Sequence, residues 1–241
     1  MIGASAHPSR GTPPVFSRAW AEAIPVGLIL PGVAALLVLL PVFLQAPWVR
    51  ASPMGATLFT PCLVVLGVVL ERRGQGPWRS IGALLVGFAG SWLGGSLFWG
   101  WWRIHPLWHL PIEGFALPLA LGGLRSRWRL AGAFYLASLL GTAVTDGAMA
   151  LTGVMHLWPQ VVSAPLSEAG VLLQRAGEAV LQPMGLGLIG LIGLALLAVC
   201  YWLWPQGPAG RVAAATLATT LAVDGIFLMA ALVAPGLSGL I

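Results

Sequence analysis

Seven apolar runs, each long enough or nearly long enough to cross a bilayer, dominate this chain. A spanning helix needs about 20 predominantly apolar residues, and the runs cover residues 24–46, 54–70, 81–101, 107–124, 130–151, 184–204 and 212–234. In hydrocarbon every backbone N–H and C=O must be satisfied internally, which leaves helices as the way for such runs to cross. The expected fold is therefore all-α: a polytopic membrane helix bundle of about seven transmembrane helices. Residues 1–20 read as a polar cytoplasmic tail and residues 21–241 as a single transmembrane domain. The run after the tail has no small-residue cleavage site, so it is expected to be retained rather than removed as a signal peptide. Only 8% of the residues are charged, against about a quarter in soluble domains.

All twelve basic residues are arginine, and they sit between the apolar runs. With the amino terminus inside, Arg10, Arg18, Arg72, Arg73, Arg79, Arg125, Arg127, Arg129 and Arg211 fall on the cytoplasmic side. Arg50, Arg103 and Arg175 fall on the other. That asymmetry obeys the positive-inside rule for an N-in, C-out chain. Arginines used as topology anchors do not form a nucleic-acid patch, so no nucleic-acid partner is expected; the bilayer is the expected partner.

The second and fourth runs are short and carry Pro61, Pro111 and Pro118. Interrupted helices persist at membrane depth only where protein or a cavity re-satisfies the freed backbone, so the bundle interior should be irregular. Residues 165–182 are too polar to span. Ser167, Gln174, Arg175, Glu178 and Gln182 share one helical face, and Leu166, Ala169, Leu172, Leu173, Ala176 and Val180 the other. This spacing predicts an amphipathic helix lying in the outer interface, with a lid over the bundle mouth as the alternative. Ala83, Gly87, Ser91 and Gly95, and likewise Gly187, Gly190 and Gly193, form small-residue rows suited to close helix packing. The GLGLIG run is no dinucleotide fingerprint, because no strand precedes it. Cys62 and Cys200 read as buried packing residues.

Residues 99–114, WGWWRIHPLWHLPIEG, hold the densest concentration of chemistry. Ionisable groups within a membrane mark function by default, and three acids qualify: Glu113, Asp146 and Asp224. Glu113 lies six residues into the fourth run, about 9 Å from its outer boundary at 1.5 Å per residue. Asp146 also falls in the outer half and Asp224 near the middle of its run, so all three could share one outward pocket. The aspartates occur in similar contexts, TAVTDG and TLAVDG, as a repeat interface would give. The competing account is structural, each hydrogen-bonding a Ser, Thr or Trp on a neighbouring helix. His105, His109 and Glu113 have i, i+4, i+8 spacing, but Pro106 and Pro111 interrupt the row and leave His105 outside the helix. His109 and Glu113 suit a hydrogen-bonded acid–base pair. The competing reading places both histidines beside an interfacial tryptophan belt; His7 and His156 read as surface groups. No metal is expected, since the sequence offers no set of three or four converging ligands.

Trp20, Trp48, Trp78, Trp128, Trp158, Trp202 and Trp204 lie at span ends, as an aromatic belt requires. Trp99, Trp101, Trp102 and Trp108 are denser than a belt needs and could face a flat conjugated ligand. Trp99, Trp102, Trp108, His105 and Asp224 are the expected ligand-binding residues, with Glu113, His109 and Asp146 as the catalytic ones.

The runs PVFLQAPWVR, GSWLGGSLFWGWWRIHPLWHLPIEGFALPLAL, FYLASLLGTAVTD and LAVDGIFLMAA resemble an uncharacterised multi-pass membrane family of cyanobacteria, with the WHLP-x-E segment the most specific part. The resemblance implies a cyanobacterial cell inner membrane or thylakoid membrane and names no catalytic residue. LPIEGF is also similar to the proline-x-glutamate motif of the small multi-pass lycopene cyclases, where a carboxyl group protonates a polyene. Those enzymes double the acid and repeat the motif; here Gly114 stands in the second acid's place and there is no second copy.

Three functions follow as expectations. The first is binding, and modification, of a lipophilic pigment, quinone or other isoprenoid, with the cofactor undetermined. The second is an accessory or assembly subunit of a larger photosynthetic or respiratory complex. The third is proton-coupled transport through Glu113, Asp146 and Asp224.

Overall fold

A computed structural model describes residues 26–235, and every element in it is helical. The expected polar tail, with His7, Arg10, Arg18 and Trp20, lies outside the described residues. In chain order the elements begin with α1 (Val26–Leu40), a π-helical turn (Pro41–Gln45) and α2 (Ala46–Ala51). Next come α3 (Pro53–Leu58), α4 (Thr60–Arg73), α5 (Pro77–Leu97) and a second π-helical turn (Phe98–Trp102). Short pieces follow: a 3-10 turn (Pro106–Trp108), α6 (His109–Glu113), another 3-10 turn (Gly114–Ala116) and α7 (Leu117–Gly123). The chain ends with α8 (Arg129–Leu151), a 3-10 turn (Val154–His156), α9 (Trp158–Ser163), α10 (Leu166–Val180), α11 (Pro183–Leu203) and α12 (Gly207–Val233).

Six helices, Gly27–Ala51, Pro53–Arg73, Pro77–Trp102, Arg129–Leu151, Pro183–Leu203 and Gly207–Val233, are long and apolar enough to cross a membrane. The chain is thus an integral multi-pass membrane protein, with one long span fewer than the seven expected. The missing one is the fourth run, 107–124. Pro106 starts a 3-10 turn, Pro111 sits inside the single turn of α6, and Pro118 restarts the helix at α7. Proline has no N–H and its ring crowds the preceding turn, so three prolines in thirteen residues break the helix into pieces. The pieces still descend antiparallel along α8, with contacts stepping from His109–Asp146 through Glu113–Thr142 and Ala116–Tyr135 to the Ala120 carbonyl at Gly132.

The helix Pro77–Trp102 is central: 61% of its apolar window is buried, against 6% for Pro183–Leu203, which faces outward. Its small-residue row is a true packing seam. A Cβ on Gly87 would stand 2.4 Å from the Ala131 carbonyl oxygen; Gly82, outside that row, is as tightly packed on α4, where a Cβ would stand 2.6 Å from the Gly67 carbonyl oxygen. Backbones that close make the van der Waals contact that holds helices together in lipid. The second row departs from expectation, since Gly187 and Gly190 have no neighbour within 4 Å of a Cβ position.

Between these helices runs a ladder of rings. Trp48, Phe59, Trp92, Phe88 and Phe134 are linked by centroid separations of 5.1–6.3 Å. Trp48 therefore belongs to the core and not to a belt, and Trp92 is 1% exposed. The indole N–H of Trp92 donates to the Ala56 carbonyl at 2.8 Å. Gln45 is turned inward by the first π-helical turn and donates to the Trp92 carbonyl and, at 2.7 Å, to Ser96 Oγ. Cys200 is buried as expected, whereas Cys62 is exposed.

The bundle has two distinct ends. At one, Glu71 meets Arg79 and Arg127, and Arg211 approaches Gly27. At the other lie Arg50, Arg103, the tryptophans of residues 99–108, and α10. That helix forms close to its expected limits, with Ala169, Leu173 and Ala176 buried and Glu168, Gln174, Arg175 and Glu178 exposed. Its inner face packs against α9 through Val161 and against α12 through Ala231 and Leu232, so it docks on the bundle itself.

Candidate functional site

The helix break creates the site. In α6 the i, i+4 spacing brings His109 Nε2 to 3.3 Å from Glu113 Oε1. From the facing side of antiparallel α8, Asp146 reaches the other ring nitrogen: Nδ1 lies 3.1 Å from Oδ2 and 3.2 Å from Oδ1. The imidazole is clasped between two carboxylates contributed by different elements. All three side chains are mostly buried, at 14–17% exposed.

Supporting groups fix this arrangement. Thr142 Oγ1 donates to Glu113 Oε2 at 2.9 Å. The Tyr135 hydroxyl fills the break in the main chain, donating to the Glu113 carbonyl and accepting from the Ala116 N–H at 3.1 Å. Gly94 makes the close approach possible, because a Cβ there would stand 2.9 Å from Glu113 Cα. The His109 ring stacks on Phe98 at a centroid distance of 4.0 Å and 21°. Trp99 meets it edge-on at 6.4 Å and packs in turn on Trp158, whose N–H donates to the Arg103 carbonyl.

Asp224 extends the polar array onto a third helix. Thr145, one residue before Asp146, donates to Asp224 Oδ2 at 2.6 Å while also lying 3.1 Å from the Gly141 carbonyl. The two aspartates thus lie on parallel, adjacent helices, in register through Gly141–Thr220 and Thr145–Asp224.

Proton counting shows what the array can do. A neutral imidazole has one N–H and one acceptor nitrogen, and an ionised carboxylate only accepts. With carboxyl oxygens at both nitrogens, either the ring carries two protons or one carboxyl group carries one. Glu113, His109 and Asp146 are therefore bound to one another through hydrogen bonds whose protons the three groups have in common.

The structure brings together Glu113, His109, Asp146, Asp224 and Trp99. It separates His105, Trp102 and Trp108. These form their own exposed cluster, with Trp102 5.6 Å from Trp108 and 6.2 Å from His105, and no contact between it and the carboxylates is seen among the described residues. His105 adopts a non-helical φ of −118° before Pro106, which places it off the His109–Glu113 face. Among the described residues no group of three or more His, Cys, Asp or Glu is arranged to hold a metal ion. Sequence reasoning overlooked Thr142, Thr145, Tyr135 and Phe98. The TAVTD string held a usable signal, since residues three and four apart share a helix face.

A family model described as a protein of unknown function, DUF3120, matches residues 34–232, and the chain belongs to that family. No curated protein and no solved structure matches it.

Proposed function

We propose that this member of the DUF3120 family is an acid/base protein of the bilayer, acting on a lipophilic molecule at the Glu113–His109–Asp146 array. The observation that carries the reading is the imidazole held at both nitrogens by carboxyl groups, each still partly exposed. A proton on Glu113 can be delivered to a conjugated or quinone-like group and replaced from Asp146 through His109, as general acid catalysis requires. Phe98, buried beneath the His109 ring, holds that ring in place, and the partly exposed edge of Trp99 is the aromatic surface beside it. The pieces from Pro106 to Gly123 complete a seventh crossing, giving an N-in, C-out chain with the arginine-rich end cytoplasmic. The array then lies in the outer half, in the cyanobacterial inner or thylakoid membrane that the sequence resemblance implies.

A second reading, proton-coupled transport, is favoured by one contact: the Thr145–Asp224 bond continues the array across to α12. One set of measurements separates the two. Protein purified in mild detergent is examined by ultraviolet–visible spectroscopy, solvent extraction and mass spectrometry, beside Glu113→Gln and His109→Ala. The expected result is one lipophile near stoichiometric amount, retained in Glu113→Gln and chemically different from that in the wild type. Bulk lipid alone, together with proton-driven uptake that Asp224→Asn abolishes, overturns the first reading in favour of the second.

A further inference from the structure

The arginine-rich end holds a second polar cluster that the array does not use. Glu71, in the last turn of α4, is 3% exposed, with Arg72 and Arg73 following it in the chain and the guanidinium groups of Arg79 and Arg127 facing its carboxylate. Gly67 and Gly82 pull α4 and α5 so close that a Cβ on Gly82 would lie 2.4 Å from the Glu71 N–H nitrogen, which sinks the carboxylate between the helices. Its ion pairs are loose: Arg79 Nη2 is 3.6 Å from Oε1, and Arg127 Nη1 is 4.0 Å from Oε2. Neither distance is a hydrogen bond, and buried Oε2 has no hydrogen-bond donor at all. Unpaired buried carboxylate oxygens are costly.

Glu71, Arg79, Ser80, Ala83, Arg127 and Leu130 line an open cleft of about 200 Å³. That is smaller than the roughly 300–1,000 Å³ pockets that take drug-sized molecules, and it suits one polar headgroup. Both arginine side chains are more than half exposed. Exposed Trp78 and the stacking of Arg127 on Trp128 at 5.1 Å mark this level as the membrane–water interface.

We propose that this cleft binds a phosphodiester that also carries a hydroxyl group, the chemistry of an anionic glycerophospholipid headgroup. The phosphate accepts from Arg79 and Arg127, whose planar donor forks match it. The hydroxyl donates to Glu71 Oε2, supplying the missing partner. Two arginines against a single glutamate leave the cleft net positive, and basic pockets between spanning helices at this level select anionic headgroups.

Thermal unfolding of the full chain in mild detergent tests this with four probes: short-chain phosphatidylglycerol, phosphatidylmethanol, phosphatidylcholine and inorganic phosphate. Phosphatidylglycerol should stabilise the protein at the lowest concentration. Phosphatidylmethanol, with equal charge but no hydroxyl, should need roughly five- to tenfold more, the worth of one hydrogen bond. Phosphatidylcholine should give no shift. Stabilisation by inorganic phosphate equal to that by phosphatidylglycerol would keep the anion chemistry but assign it to a soluble phosphate. Arg79→Gln and Arg127→Gln should each weaken the response, read for each variant as the shift from its own unfolding temperature in detergent alone. Equal stabilisation by phosphatidylglycerol and phosphatidylcholine, or a response untouched by either substitution, overturns the proposal.

Discussion

Gly94 is where packing and chemistry are most directly coupled, and Gly94→Ala is the perturbation that exposes the link. The new Cβ would lie 2.9 Å from Glu113 Cα, 3.2 Å from Cγ and 3.4 Å from Cβ. Carbon atoms rest about 3.5–4.0 Å apart, so α5 and α6 must separate by several tenths of an ångström to about 1 Å. Glu113 Cα belongs to backbone, which side-chain rotation cannot move aside. Overpacking of this kind costs about 1–3 kcal/mol, offset by up to about 1 kcal/mol from replacing glycine in a helix. A net loss of about 1–2 kcal/mol corresponds to a fall in Tm of roughly 2–8 °C for a chain of this size. The same displacement opens the stack of His109 on Phe98, now 4.0 Å between centroids at the end of α5, and shifts Glu113 against Thr142, now 2.9 Å away on α8. Modification of Glu113 by a hydrophobic carbodiimide, followed by mass spectrometry, should change in rate together with the loss of stability. Gly190→Ala is the control, since no atom lies within 4 Å of its Cβ position. If Gly94→Ala unfolds within about 1 °C of that control and its Glu113 reacts as in the wild type, the argument fails.

Other outcomes follow from contacts elsewhere. Trp92→Phe removes the 2.8 Å bond to the Ala56 carbonyl and part of a ring that is 1% exposed; it should destabilise the bundle by roughly 2 kcal/mol, adding a lost hydrogen bond to a partial cavity, as thermal unfolding would show. Gln75→Cys and Ile104→Cys, in a background lacking Cys62 and Cys200, should be labelled from opposite sides of the membrane by an impermeant maleimide. Labelling from one side would refute the N-in, C-out assignment.

Much of this architecture was legible in the sequence because a bilayer is a severe solvent. Backbone groups without water must pair within their own helix, so long apolar runs report helices directly, and five of the seven expected runs appear as long helices with ends close to those anticipated. The second run, 54–70, also appears, with a turn at Phe59 ahead of Pro61. The fourth run failed for a reason also written in the residues: three prolines outweigh apolarity once neighbouring side chains can repair the main chain, and only the structure shows that Tyr135 is that neighbour. The pairing of His109 with Glu113 could be read from i, i+4 spacing because it is local. Asp146 on Nδ1, Thr142 on Glu113 and Thr145 on Asp224 could not, since each joins residues 29 to 79 positions apart. The tryptophans divide in the same way. Sequence fixes their approach to span ends, but whether one enters the core like Trp48, touches His109 like Trp99 or stays exposed like Trp108 depends on helix rotation. Hydrophobicity along one chain determines which segments enter the membrane, while rotation and depth are decided by close contacts between helices, such as Gly87 on Ala131 and Gly94 on Glu113. Those contacts exist only once the helices have met.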